Sequence, residues 1–209
     1  MIFILSLAEN QDIHAATASR VFGVPLDKVT PNQRRHAKAI NFGIVYGIGA
    51  FSLAKDIGVS NKEAKQYIEN YLAHYSGVDS YMKNVVEKAN ADGYVETMFG
   101  RRRNLPELTS SKHMIRAFGE RVARNMPIQG TAADIIKIAM IKVDERMKAE
   151  NLRARLVLQV HDELIVEAPQ DESMRVALIV QEEMENAVKM SVPLTADAAI
   201  GRTWYDAKG

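Results

Sequence analysis

Thr30-Pro31-Asn32-Gln33-Arg34-Arg35-His36-Ala37-Lys38-Ala39-Ile40-Asn41-Phe42-Gly43-Ile44-Val45-Tyr46-Gly47 is the stretch on which the fold turns. It opens as a helix start: threonine caps, proline suits the first turn, and glutamine three residues on completes a capping box. The helix is predicted to run to about Tyr46, with Gly47 as its stop. Along it Arg34, Lys38, Phe42 and Tyr46 recur at spacing four and fall on one slowly drifting stripe, cationic at its N-terminal end and aromatic at the other. Two cations near a helix N-terminus, where the dipole is also positive, suit a polyphosphate better than they suit the helix. Against this stands a plainer reading, a solvated basic turn followed by a buried aromatic edge. Spacing alone does not choose between them.

Outward from this helix the chain reads as continuous folded structure, with no repeat and no low-complexity linker. Ser60-Asn61-Lys62-Glu63 repeats the capping logic ahead of a periodic stretch ending near Tyr75. A further helix is predicted from about Val78 to Gly93, and a small hairpin from Tyr94–Met98 and Arg102–Leu105. Lys112 to Glu150 is helical in pattern, with a break or kink expected at Pro127. Leu156–Val160 and Leu164–Val166 are β-rich runs separated by His161-Asp162-Glu163, a hairpin signal. A helix from about Glu172 to Lys189 and a strand near Leu194–Ile200 complete the expectation. The first half is helical and the second α+β, so the fold class is α+β.

The bulk numbers constrain function mostly by exclusion. The 209 residues suffice for one large domain or two small ones, and 47% hydrophobic with 25% charged residues is ordinary for a globular protein. A net charge of +1 gives no compositional argument for nucleic acid, so any such argument rests on where the charge sits. With no cysteine there is no disulfide scaffold and no thiolate-bound zinc. Met1–Leu7 is apolar but lacks a basic leader and is too short to span a bilayer, which makes a cytoplasmic protein without membrane association the default.

Two more constellations carry chemistry. Adjacent carboxylates at Asp162 and Glu163, beside His161 and between apolar strands, suit a hard divalent cation such as magnesium, although taken alone a polar β-turn explains them better. Arg121, Asn125 and Gln129 again recur at spacing four, with Pro127 expected to prevent one regular helix from carrying all three. Such donors fit the purine N3 and pyrimidine O2 acceptors common to every base pair in the minor groove. An ordinary hydrogen-bond network beside a helix break is the alternative. Arg101-Arg102-Arg103, with Arg116, Arg121 and Arg124 beyond it, is either a nucleic-acid backbone contact or a solvated surface.

Taken in order, these segments resemble the bacterial DNA polymerase I family, the family A DNA polymerases. The residues from Arg34 to Gly47 look like its fingers-helix signature, and Gln159-Val160-His161-Asp162-Glu163-Leu164 looks like its palm signature. Gly100-Arg101-Arg102-Arg103-Asn104-Leu105-Pro106, the run from Asn125 to Asp134, and Trp204-Tyr205-Asp206-Ala207-Lys208 match further segments, so the resemblance covers about residues 12 to 209. It implies a DNA-directed DNA polymerase that transfers nucleotides from dNTPs to a primer 3′-OH. The implied division is a fingers-like helical region over 1–120, with an atypical 1–11, and a partial palm over 121–209.

Roles follow at the matching positions. The resemblance implies that Arg34 and Lys38 bind the incoming triphosphate, with Lys38 also placed as general acid, and that His14 is another phosphate contact. Phe42 would pack on the nucleotide's sugar and base, and Tyr46 would lie near the templating base. Arg121, Asn125 and Gln129 would track the minor groove of the primer–template DNA. His161 would lie by the primer terminus, while Asp162 would ligate catalytic magnesium with Glu163 close by.

The family also carries a second catalytic aspartate within a motif resembling Asp-Tyr-Ser-Gln-Ile-Glu-Leu-Arg, and nothing like it occurs in Met1–Gln11. Glu9 and Asp12 are the only nearby acids. Two-ion catalysis needs ligands that hold the metals about 3.5–4 Å apart. The expectation is therefore a truncated polymerase with an open palm-sheet edge and little or no activity by itself. The alternatives are an inactive nucleotide- or DNA-binding module and a folded remnant. The resemblance also links phenylalanine at position 42 with rejection of dideoxynucleotides. In a complete enzyme carrying this segment, Phe42→Tyr is expected to relax that discrimination, and an unchanged incorporation ratio of dideoxy- to deoxynucleotide would contradict the assignment.

Overall fold

A computed structural model describes residues 12–208; the expected atypical N-terminus, 1–11, lies outside them. The chain forms two compact units, one ending at Gln129 and the other beginning at Gly130.

The first unit is built by local signals that the tertiary core then selects. Helix α1 (Ile13–Phe22) is capped by Asp12, whose carboxylate accepts the backbone N–H groups of His14 and Ala15 at 3.0 and 3.1 Å. A short 3₁₀ turn, Leu26–Lys28, leads into α2 (Pro31–Val45), which begins with the expected capping box between Thr30 and Gln33. The same device, Ser60 with Glu63, starts α4 (Asn61–His74) after the short α3 (Ala50–Ile57). One core joins α1 to α4: Val21, Ile40, Ile44, Leu53, Ala64, Tyr71 and Tyr75 are buried together. Each large apolar side chain fully buried there contributes about 1.5–3 kcal/mol.

Helix α5 (Ser76–Asp92) leads to the expected hairpin of β1 (Tyr94–Glu96) and β2 (Arg102–Asn104), antiparallel with Val95 opposite Arg103. A second cluster of Ala89, Val95, Leu105, Leu108 and Ala123 fixes this hairpin, and the 3₁₀ turn Pro106–Thr109, on the start of α6 (His113–Ala149).

Of the break or kink expected at Pro127, the break is absent: α6 is 37 residues long with the proline inside it. A proline removes one backbone donor and crowds the carbonyl four residues back. Here buried Ala123 before it, and buried Ile136, Ala139, Val143 and Met147 after it, hold the helical face by tertiary packing, which outweighs that local loss. Arg121, Asn125 and Gln129 therefore share one helix after all.

In the second unit, β3 (Arg155–Val160) and β4 (Glu163–Glu167) pair antiparallel, with Val160 opposite Glu163 and an irregularity between Leu156 and Leu158. Their inner face joins α6 and α7 (Ser173–Glu185) through Val143, Met147, Val176 and Ile179. Helix α7 stops short of the expected Lys189. Lys142 Nζ donates to the carbonyls of Asn186 and Ala187 at 2.6 and 3.0 Å, placing a tertiary cation at the helix C-terminus.

The strand expected at Leu194–Ile200 is absent as a strand. Those residues make no ladder, and the N–H of Ala196 goes to the Glu185 carboxylate at 3.1 Å. Strand propensity becomes a strand only where an edge pairs with it, and among the described residues no third strand joins the β3–β4 hairpin. The chain closes on the short helix α8 (Trp204–Lys208). The two two-stranded antiparallel sheets among many helices give the α+β class expected.

One contact at the end of α2 is unusually close. Gly43 is buried against Ile48, where a Cβ at position 43 would fall 2.6 Å from Ile48 Cγ2. The Ile48 N–H donates to the Gly43 carbonyl at 2.7 Å, and Gly47 between them takes a left-handed φ of 69°. Gly43→Ala is expected to cost about 1–2 kcal/mol net, overpacking outweighing the ~1 kcal/mol gained in helix propensity. Chemical denaturation of the single and double variants checks this: the loss should vanish in an Ile48→Ala background.

Candidate nucleotide and nucleic-acid site

The capping box sets the register of α2 and thereby divides its faces. Ala37, Ile40, Asn41, Gly43 and Ile44 are buried, while Arg34 and Lys38 are exposed and Phe42 and Tyr46 keep 48% and 44% of their surface. The plainer reading of a buried aromatic edge fails on those values. The rings lie open in a row: Phe42 and Tyr46 are nearly parallel, 14° apart with centroids 6.5 Å apart, and His14 from α1 stands 5.9 Å from Phe42.

The cationic end is already engaged within the protein. Arg34 Nε donates to Asp12 Oδ2 at 2.5 Å, so Asp12 at once caps α1 and holds the guanidinium beside His14. Burial opposes the charge on Asp12, but hydrogen bonds from Arg34, Ala15 and His14 outweigh it and hold the carboxyl below its ordinary value. Lys38 has no ion pair with a described residue and is open to solvent. In the sequence Asp12 reads only as one of two acids near the N-terminus. Its signal was the N-cap position ahead of Ile13-His14-Ala15.

At the aromatic end, a cleft of about 400 Å³ is lined by Phe42, Tyr46, Gly47, Ser52, Asp56 and Arg121 among others. Arg121 arrives from α6, where its guanidinium lies 5.7 Å from the Phe118 ring centre. The structure thus brings two separate sequence constellations to one cleft. Asn125, one turn on from Arg121, has a buried Oδ1 with no hydrogen-bond partner, at a cost of about 1–3 kcal/mol. Gln129 is exposed on the same helix.

The remaining candidates lie in the second unit. His161 occupies the left-handed region at φ 53° in the β3–β4 turn, and Gln159 Nε2 closes the turn by donating to its carbonyl at 2.5 Å. Asp162 is exposed and takes no hydrogen bond from a described residue. Glu163 pairs with Lys208 at 3.2 Å, and Lys208 lies 5.3 Å from the Trp204 ring centre. Asp162 thus offers hard, unengaged oxygens that fit one ligand position of a divalent ion. Among the described residues no group of three or more histidines or acids converges.

Of the remaining basic cluster, Arg102 stacks 4.4 Å from the Tyr94 ring centre and bonds Glu96, Arg116 donates to the Ser110 carbonyl, and Arg124 pairs with Glu120. No described helix is long and apolar enough to cross a membrane.

The chain is similar over nearly its whole length to known proteins. The family model described as DNA polymerase family A matches residues 2–206. DNA polymerase I of Bacillus caldotenax is 55% identical over 197 residues, 94% of this chain and 22% of that protein. DNA polymerase I of Streptococcus pneumoniae is 50% identical over 206 residues, 98% of this chain and 24% of that one. The chain therefore spans under a quarter of the length of these relatives. Among solved structures, the POL domain of Pol1 from M. smegmatis in complex with DNA primer-template and dNTP superposes with a TM-score of 0.93 at 45% identity, covering 99% of this chain and 36% of that one.

The site also carries a pH signature. Burial lowers the pKa of His14 below 6.5; Asp12 works against this, and Arg34 and Lys38 add to it. His36 is lowered by burial and then by Arg35. The unfolded chain therefore binds these protons more tightly than the folded one, so stability falls as pH drops below 6.5 and these histidines contribute no slope well above it. The melting temperature is expected to decline through that window. His14→Gln and His36→Gln should each flatten the decline, and an unaltered slope in the double variant would refute the assignment.

Proposed function

The chain belongs to DNA polymerase family A, and on that premise we propose that it is the nucleotide-binding fingers and part of the catalytic palm of a DNA-directed DNA polymerase, acting in the cytoplasm on primer–template DNA and dNTPs. The observation that carries this reading is the exposed stripe on α2. Two cations and two parallel rings stand in register on one side of the helix, with His14 beside them.

In this reading the triphosphate lies along Arg34, Lys38 and His14. The anion displaces Asp12 from Arg34, exchanging one charged partner for another, and adds to the positive end of the α2 dipole. Phe42 carries the sugar and base, and Tyr46 meets the templating base at the cleft that Arg121 also lines. Arg121, Asn125 and Gln129, one turn apart on α6, reach acceptors that every base pair presents, which suits a sequence-neutral enzyme. The primer 3′-hydroxyl gives up its proton to solvent as its oxygen bonds to the α-phosphorus, His161 being assigned to the primer terminus. The bond from that phosphorus to the oxygen bridging to the β-phosphate breaks, and Lys38 gives a proton to the departing pyrophosphate.

Asp162 would hold magnesium, with Glu163 alongside. When bound, magnesium supplies positive charge against the phosphoryl oxygens. Glu163 is tied to Lys208 at 3.2 Å, which offsets part of its charge beside Asp162.

Two measurements test the reading. Arg34→Ala and Lys38→Ala should each weaken dNTP binding roughly ten-fold or more at low salt, with the difference shrinking as salt rises. Primer extension with magnesium and four dNTPs, run beside a primer–template titration, separates the levels of the proposal. Extension abolished by Asp162→Ala carries the whole reading. Binding without extension fits the expected fragment, which keeps its substrate contacts and lacks the second catalytic aspartate, and the absence of both binding and extension overturns the reading.

A further inference from the structure

A chain of side-chain hydrogen bonds runs from the interior of the first unit to His14. Arg20 Nη1 donates to Tyr75 Oη at 2.7 Å, Tyr75 Oη lies 3.3 Å from Thr17 Oγ1, and Thr17 Oγ1 donates to Asn41 Oδ1 at 3.1 Å. Asn41 Nδ2 then meets His14 Nδ1 at 3.0 Å. Thr17 is fully buried, and Tyr75 and Asn41 are 6% and 7% exposed, so no solvent intervenes along the row.

The direction of the bonds follows from the orientation of the Asn41 amide, with its oxygen toward Thr17 and its nitrogen toward His14, together with donor chemistry. The Asn41 carbonyl oxygen accepts only, so the Thr17 hydroxyl donates to it and itself accepts from the Tyr75 hydroxyl, which in turn accepts from the donor-only Arg20 guanidinium. With its oxygen so engaged, Asn41 turns its NH₂ toward His14, and an amide NH₂ is a donor. Nδ1 of His14 must then accept, which leaves the proton of the neutral ring on Nε2.

We propose that Thr17 and Asn41 are positioning residues that fix His14 in its Nε2–H tautomer, keeping a hydrogen-bond donor presented beside Arg34 and Phe42 for a polyphosphate. The value of that donor rests on the reading of His14 as a phosphate contact; the tautomer itself does not. Asn41 is polar on the otherwise apolar face of α2, where an unpaired amide is costly to bury. The network gives it both of its partners.

The ring orientation is set by the same bond. Asn41 sits one residue before Phe42 on α2, so the helix that carries the stacking ring also sets the angle of the imidazole. A rotation of His14 away from Asn41 would strand the amide donor in the interior, which holds the ring in place without a carboxylate partner on Nδ1.

Nitrogen-15 NMR of the full chain, recorded well above the ordinary imidazole pKa, reads the tautomer directly, with His14→Gln assigning the resonance. The wild type should show Nε2–H. Thr17→Val, nearly equal in shape but without the hydroxyl, should mix the tautomers; Thr17→Ser should restore the wild-type pattern. Asn41→Asp replaces the donor by an acceptor and should move the proton to Nδ1, giving a second reading if Thr17→Val does not fold. A wild-type ring with its proton on Nδ1, or a tautomer unmoved by both Thr17→Val and Asn41→Asp, overturns the proposal.

Titration of the same variants with inorganic tripolyphosphate separates this inference from the function it serves. Roughly five- to ten-fold weaker binding in Thr17→Val, recovered in Thr17→Ser, supports both. A tautomer shift without any change in affinity supports the network and removes His14 from the phosphate site.

Discussion

Burial of the Ala37–Ile40–Ile44 face of α2 is the constraint on which the rest of the first unit depends. Those residues join Val21, Leu53, Ala64, Tyr71 and Tyr75 in one core, and a helix that commits one face to a core commits the opposite face to solvent. The exposed face here carries Arg34, Lys38, Phe42 and Tyr46. Apolar contact energy thus holds open a polar and aromatic surface that has little to gain from folding by itself. The Phe42 and Tyr46 rings would add more stability buried than exposed.

The close approach at Gly43 extends that constraint to the cleft. Because nothing larger than glycine fits under Ile48, the chain after α2 reverses tightly through Gly47, which puts Tyr46 at the rim and lets the Arg121 side chain lie against the turn. The β3–β4 turn is held by different means. Gln159 satisfies the carbonyl of a left-handed His161, and Lys208 engages Glu163 from the far end of the chain. The two carboxylates at this turn are therefore unequal. One is paired within the protein and the other is left to solvent, an asymmetry that adjacency in sequence does not reveal.

Electrostatics in the first unit follows the same logic of one group serving two ends. Asp12 caps α1 and pairs with Arg34, and the polar row behind it reaches His14 through Asn41. These contacts hold the histidine and the guanidinium side by side without a bound anion.

The sequence by itself determined what depends on hydrogen bonds within a few residues and on long ordered motifs. Both capping boxes, the stop at Gly47, the two hairpins and the family all rest on such signals, and the stripe from Arg34 to Tyr46 follows from helical period alone. Which side of that stripe faces water was decided by the core, since period fixes neighbours on a helix but not which neighbours are buried. Tertiary packing also carried α6 through Pro127, stopped α7 early through Lys142, and left residues 194–200 without a strand partner among the described residues. Each of those outcomes turns on residues distant in sequence. Asp12, Thr17 and Asn41 took their roles the same way: a lone polar residue between Ile40 and Ile44 signals a buried hydrogen bond, but only the packed helices choose its partner.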